Sequence, residues 1–315
     1  MLSPVAVGAI IYACMLIILC VGFSLTHMME KFPNFAHANY ASIGTMFAYT
    51  FVRLWGYNPY LTWPFAFLLG GVLGVALYLL VIRPLQMAGS GGVVLAFAMF
   101  ALSQVIAAVL GIYSYWVLMT YRFRTGGFML KSYDLQLMGY PCILFAAPLL
   151  CVGLVVSLHL FLTRVKFGIA IRATAEDPEL SVSLGVNIFR VHLASWFLTG
   201  GMSALAGAVL PLWLPTSIGG SDELLMSVIA GSILGGLDNI YGAILGGLTV
   251  ALAKKVLPGM LIRAFGVWIG GYEPMVPILV IVIVLLLEPK GLTGFLHREH
   301  PLLRRAWRRL GGLRA

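Results

Sequence analysis

The stretch MSVIAGSILGGLDNIYGAILGGLTVALA, residues 226–253, is uncharged except for Asp238, which sits in the GGLDN that interrupts it near the middle. A helix crosses the hydrocarbon of a bilayer with roughly 20 apolar residues, so this segment is too long for one simple crossing. Two short helices joined by a turn account for it. Gly235 and Gly236 can take positive φ without steric cost, and Asp238 or Asn239 can cap the second piece. Gly231 with Gly235, and Gly242 with Gly246, are small residues four apart, the spacing at which membrane helices approach closely. The same glycines serve helix packing whether or not anything binds there.

The rest of the chain has the same character. Of 315 residues 61% are hydrophobic and 10% charged, and the mean hydropathy is +0.98. Residues 5–26, 61–82, 93–118, 141–163 and 194–214 meet or approach a bilayer crossing without one Asp, Glu, Lys or Arg. Residues 35–51 and 275–287 are shorter uncharged runs that fit short or tilted crossings. The expected fold is all-α, a polytopic membrane helical bundle of about eight to nine membrane segments, some short or broken. The first run has no basic region before it and more membrane segments after it, so it is expected to stay in the mature chain. Cys14, Cys20, Cys142 and Cys151 fall inside apolar runs, without the close pairs or histidine partners of metal sites, and read as small buried hydrophobes.

Sidedness depends on the opening stretch. Cytoplasmic loops hold an excess of Lys and Arg. If residues 226–253 cross twice, the N-terminus lies outside and the C-terminus inside, with thirteen of the 20 basic residues on the cytoplasmic side; a single crossing reverses the bias. The double crossing is therefore expected. It places residues 164–193, between two spans, in the cytoplasm. There Asp177 is a good N-cap, Pro178 suits the first helical position, Glu179 complements the helix dipole and Gly185 supplies a stop. A capped helix of about seven residues, PELSVSL, is too short to stand alone and must be held by its flanks or by a partner. On the residues alone, a plain membrane-surface connector and a partner-docking element are equally open.

RATAEDPELSVSLGVN, residues 172–187, resembles the cytoplasmic coupling-loop signature of the permease subunits of branched-chain amino-acid ABC transporters. FPNFAHANYASIGTMFAY (32–49) is similar to that family's Asn-Phe-Ala-His segment, and RPL (83–85) falls where the family keeps it. GSILGGLDNIYGAILGG (231–247) resembles its late glycine-rich hairpin, and LLLEPKGLTGF (285–295) its Arg-Pro-x-Gly-Leu-x-Gly ending. Ala38 stands where glycine usually follows the histidine, and Glu288 where arginine is common. The family also includes permeases for urea, short amides and other small polar solutes; the expected solute is a hydrophobic, branched-chain amino acid or a related small solute.

The resemblance implies an importer in which the short cytoplasmic helix seats in a groove of a separate ATPase. Glu176, Asp177 and Glu179 would face basic residues there, Leu180, Val182 and Leu184 would fill the groove, and Gly185 would end the helix. The implied partners are a second, different permease chain, two cytosolic ATPase subunits, an extracytoplasmic solute-binding protein and the lipid bilayer, in the plasma (inner) membrane. This chain has no Gly-Lys pair, hence no Walker phosphate loop, and is not the ATPase. No nucleophile with a base and no metal-ligand spacing appears, so neither enzyme activity nor a cofactor is expected.

Polar residues inside spans are candidates for solute contact, or simply bond neighbouring helices. Asn34, His37 and Asn39 open the short second span, and Ser103 and Gln104 lie mid-span. At the hairpin break, Asp238 and Asn239 sit where the ends of half-helices suit the two charges of an amino-acid zwitterion, capping being the simpler role. A secondary transporter would need ionisable groups deep in the spans, where only His37 and His159 come close, both near span ends; a passive channel would need no docking helix. Residues 1–296 thus read as the permease domain and 297–315, HREHPLLRRAWRRLGGLRA, as a basic cytoplasmic tail. That tail either lies on anionic lipid through Leu302, Leu303, Trp307 and Leu310 or is a solvated end, and no nucleic-acid partner is expected.

Overall fold

Two helices are surrounded by protein and the others are arranged around them. α1 (Pro4–Glu30) starts at Ser3, whose hydroxyl accepts from the Ala6 N–H, and α9 (Ile188–Val209) starts at Asn187, whose side chain accepts from the Arg190 N–H. Of their membrane-crossing stretches 67% and 78% is buried, against 22% for α5 (Gly92–Tyr121), so α1 and α9 form the core and α5 faces outward. In this computed structural model the described residues are 3–287 apart from 124, 138, 218 and 219. The closing motif from Glu288 onward and the basic tail 297–315 lie outside them.

Among the described residues six helices are long and apolar enough to cross a membrane. They are α1, α3 (Pro59–Leu77) with its continuation through a π-helical turn into α4 (Arg83–Met87), α5, α6 (Ile143–Arg164), α9, and α11 (Ile240–Phe265). α2 (His37–Tyr49), α10 (Ser221–Gly235) and α12 (Met275–Leu287) are shorter apolar helices beside them. This is the polytopic all-α bundle that the apolar runs predict. A two-stranded antiparallel ribbon, β1 (Gln136–Leu137) with β2 (Tyr140–Pro141), decorates one end.

α2 and α3 pack along α9 at backbone distance. A Cβ on Gly44 of α2 would lie 1.8 Å from the Ala204 carbonyl oxygen of α9, and one on Gly207 of α9 would lie 1.8 Å from the Ala41 carbonyl oxygen of α2. Without a hydrophobic drive between helices in lipid, such close van der Waals contact is what holds them.

The opening stretch is a hairpin. α10 stops at Gly235, Gly236 takes φ +99°, and α11 begins at Ile240. Asn239 is the cap, accepting from the Tyr241 N–H at 2.9 Å and the Gly242 N–H at 3.2 Å. Its neighbour Asp238 turns aside to Lys31 Nζ at 3.1 Å and His27 Nδ1 at 3.3 Å. The two arms touch at glycine, because a Cβ on Gly246 would lie 2.0 Å from the Gly231 carbonyl oxygen. Both arms outrun residues 226–253. α10 begins at Ser221 with Asp222 and Glu223 in its first turn, and α11 continues through Lys254, Lys255 and Pro258. Charges that end a run of apolar letters do not end a helix when they are paired, and Lys254 Nζ lies 3.1 Å from Glu223 Oε1.

Cross-contacts sort the element ends onto two faces. On the Ser3 face Trp213 Nε1 donates to the Pro4 carbonyl, the Lys131 ammonium lies 4.0 Å from the Trp213 ring centroid, and Lys254 pairs with Glu223. On the opposite, Lys31 face, Lys31 pairs with Asp238, and Glu30 receives hydrogen bonds from α4 and α9. The hairpin therefore starts on the Ser3 face, turns on the Lys31 face and returns toward the Ser3 face. Residues 164–193 are less loop than their polarity suggests: α7 (Lys166–Glu176) and α8 (Pro178–Ser183) fill most of them.

Candidate functional site

α7 and α8 form a bent helical arm on the Lys31 face. A Cβ on Gly168 would lie 2.0 Å from the Phe161 carbonyl oxygen, so α7 sits tightly on the end of α6. At Asp177 the backbone leaves the helical region (φ −145°, ψ 99°), and the Asp177 carboxylate accepts from the Leu180 N–H at 3.0 Å to start α8, with Pro178 at its first position. Gly185 takes φ +81° and lets the chain turn into α9. Ser181 is buried, while Leu180, Val182 and Leu184 are 56%, 57% and 74% exposed. Three aliphatic side chains thus project from a short helix whose start is capped and whose ends are held by α7 and α9. Glu179 is exposed beside them, whereas Glu176, at the end of α7, lines a cavity next to Lys31.

The polar residues singled out as substrate contacts fall in three separate places. Asn34, His37 and Asn39 are buried. Asn34 Oδ1 accepts from the Ala36 N–H, His37 Nε2 lies 3.0 Å from the Leu19 carbonyl oxygen, and Asn39 Nδ2 donates to the Ser103 carbonyl at 2.9 Å. With Ser203 Oγ donating to the His37 carbonyl, they tie α2 to α1, α5 and α9. Gln104 is elsewhere, exposed on α5, where its amide nitrogen donates to Ser103 Oγ at 3.3 Å. Asp238 and Asn239 are at the hairpin tip on the Lys31 face. No one cavity gathers all six.

Two further polar clusters escape a reading by sequence. Glu30, the last residue of α1, has a side chain with no exposure, and its carboxylate accepts from Gln86 Nε2, His192 Nδ1 and Trp196 Nε1, each at 2.7 Å. Tyr78 stacks on His192 with ring centroids 5.6 Å apart and planes 6° from parallel. A buried carboxylate needs this full set of donors to be tolerated. The signal available was a lone acid closing the first apolar run, together with His192 and Trp196 four apart on one helix face. On the Ser3 face Lys254 is 5% exposed, bonded to Glu223 and to Ser227 Oγ at 3.4 Å, with the Tyr12 ring 5.4 Å away. Lys255 pairs with Glu273 at 3.0 Å. A cavity of about 370 Å³ opens among these groups. Among the described residues no set of three His, Cys, Asp or Glu side chains is placed to hold a metal ion.

Comparison with known proteins bears on this arrangement directly. Residues 5–285 match the family model described as branched-chain amino acid transport system / permease component. A relative described as probable branched-chain amino acid transport permease protein LivH, from Methanocaldococcus jannaschii, is 33% identical over 287 residues, 91% of each chain. The high-affinity branched-chain amino acid transport system permease protein BraD of Pseudomonas aeruginosa is 30% identical over 141 residues, 44% of this chain and 43% of that one. In fold the chain is similar to a solved structure, PsaBC from Streptococcus pneumoniae in complex with Fab, with a TM-score of 0.54 and 14% identity over 91% of this chain and 92% of that one. With a family model covering nearly all of its spans and a relative matched over 91% of both lengths, the chain belongs to the family of permease components of branched-chain amino acid transport systems.

Proposed function

We propose that this chain is the membrane-spanning permease subunit of an ATP-driven importer that passes a hydrophobic, branched-chain amino acid or a closely related small solute into the cytoplasm. It works with a second permease chain, two cytosolic ATPase subunits and an extracytoplasmic solute-binding protein. The Ser3 face is extracytoplasmic and the Lys31 face cytoplasmic. The observation that carries the reading is α8, a capped helix fixed between α7 and α9 that shows Leu180, Val182 and Leu184 to the outside. Exposed aliphatics on a short, rigidly held helix suit a groove on a partner, and a helix held at both ends moves with the spans attached to it.

The branched-chain solute is favoured by the names of the relatives, LivH and BraD. Within the bundle, Gln104 supports a path along the outer side of α5. An exposed amide amid apolar side chains is costly against lipid and is better placed where a second permease or a water-filled path covers it. Asn39 serves that path indirectly, by fixing α2 against α5.

Leu180→Arg tests the coupling role. It places a charge where the partner groove would have to desolvate it, at a cost of several kcal/mol, and it disturbs no buried contact of the permease. The expected result is normal membrane insertion with loss of uptake and of co-purified ATPase at matched permease levels. Full retention of both would remove α8 from the mechanism.

A further inference from the structure

Where α1, α6 and α11 reach the Lys31 face they leave a cavity of about 650 Å³. α6 and α11 both pack on α1 but make no broad contact with each other, so α1 is the back wall and the cavity lies between α6 and α11. The cavity has two chemically distinct halves. Val21, Val155, Leu158 and Ile244, from within the three spans, line one half with hydrocarbon. Lys31, Arg172, Glu176 and Asp238 line the other, at the level where the spans end. Across the gap His159 Nδ1 and the Tyr241 hydroxyl meet at 2.6 Å, a polar rung between α6 and α11.

The four charges are not equivalent. Lys31 and Asp238 pair with each other at 3.1 Å. Among the described residues, Arg172 and Glu176 have no ion-pair partner within 4 Å, although they lie one turn apart on α7. The cavity therefore presents one uncommitted cation and one uncommitted anion beside an apolar half. A phosphodiester suits the guanidinium, with which it can make paired charge-assisted hydrogen bonds, and an ammonium suits the carboxylate.

We propose that this cavity binds one phospholipid with a zwitterionic, ethanolamine-type headgroup. The phosphate sits on Arg172, the ammonium on Glu176, and an acyl chain lies against Val155, Leu158 and Ile244. A headgroup bearing only negative charge fits less well, because it leaves Glu176 unpaired beside a like charge. A free branched-chain amino acid has the same two charges but only a short side chain for the apolar half, so the lipid is the occupant that fills both halves.

The test uses the full-length chain in vesicles made of equal parts phosphatidylethanolamine and phosphatidylglycerol. The chain is then extracted in detergent, and the lipid it retains is counted by native mass spectrometry. Arg172 and Glu176 are exposed, so Arg172→Gln and Glu176→Gln remove no packed contact. The wild-type chain is expected to retain one phosphatidylethanolamine in preference to phosphatidylglycerol. Arg172→Gln is expected to lower retention about tenfold, the scale of one lost charge-assisted contact. Glu176→Gln is expected to keep a lipid but lose the preference between the two headgroups. No retained lipid on the wild type, a preference for phosphatidylglycerol, or wild-type retention in Arg172→Gln would overturn the proposal. So would displacement of the lipid by excess free leucine, which would make the cavity a solute site.

Discussion

Glu30 shows what a single residue can hold together in this molecule. Its carboxylate is the acceptor for donors 56, 162 and 166 residues away, and all of them lose water in the folded state. Glu30→Gln keeps the shape but swaps one acceptor oxygen for an NH₂ that faces other donors. Even if Gln86 turns its amide oxygen to that NH₂, the bonds from His192 and Trp196 lose their charged acceptor, at a cost of about 1–3 kcal/mol. A lowered thermal-unfolding midpoint in detergent is expected, and an unchanged midpoint would mean that the cluster carries no stability. The sequence shows only the lone acid and the His192–Trp196 spacing, because the pairing of these groups is set by tertiary packing. The local caps were legible: Asp177 opens α8 as read, and of the two candidates at the hairpin Asn239 caps while Asp238 is drawn off by Lys31 and His27. A cap is a contact with the next turn and can be read from neighbours in sequence; the competing ion pair could not.

At the scale of elements, the glycine spacing predicted close helices and the structure supplies the partners. Gly44 and Gly111 make a controlled comparison. A Cβ at Gly44 runs into the α9 backbone, while one at Gly111, on the outer side of α5, meets nothing within 4 Å. Gly44→Ala is expected to force α2 and α9 apart at a cost of roughly 1–3 kcal/mol, and Gly111→Ala to be neutral, both read as the fraction of chain that stays folded after detergent extraction. Equal behaviour of the two would contradict the packing described. The hairpin was read correctly from length and turn chemistry, yet its ends were cut short, because paired Lys254 and Glu223 look like the edge of a span when seen as letters. α7 is hidden for a related reason. Its buried positions Gly168, Ile171, Thr174 and Ala175 recur at helical spacing, but Lys166, Arg172 and Glu176 between and around them hide that stripe from a search for unbroken apolar runs.

For the molecule as a whole, hydropathy sufficed to give an all-α membrane bundle, since only helices and closed barrels satisfy the backbone in a bilayer and unbroken apolar runs of about 20 residues suit helices. The candidate site was only half legible. α8 is local and has its caps in sequence, whereas the proposed solute path along the outer side of α5 would be complete only beside a second permease chain. An importer's dependence on ATP is a property of that assembly, so the central claim is tested most directly by reconstitution. Proteoliposomes carrying the permease pair and both ATPases, with the solute-binding protein on the side of the Ser3 face, are assayed for leucine uptake with and without ATP on the side of the Lys31 face. The expected result is uptake against a gradient only when ATP and the binding protein are both present. Equal leucine movement through this chain reconstituted alone, without ATP, would contradict it and identify a channel or secondary transporter instead.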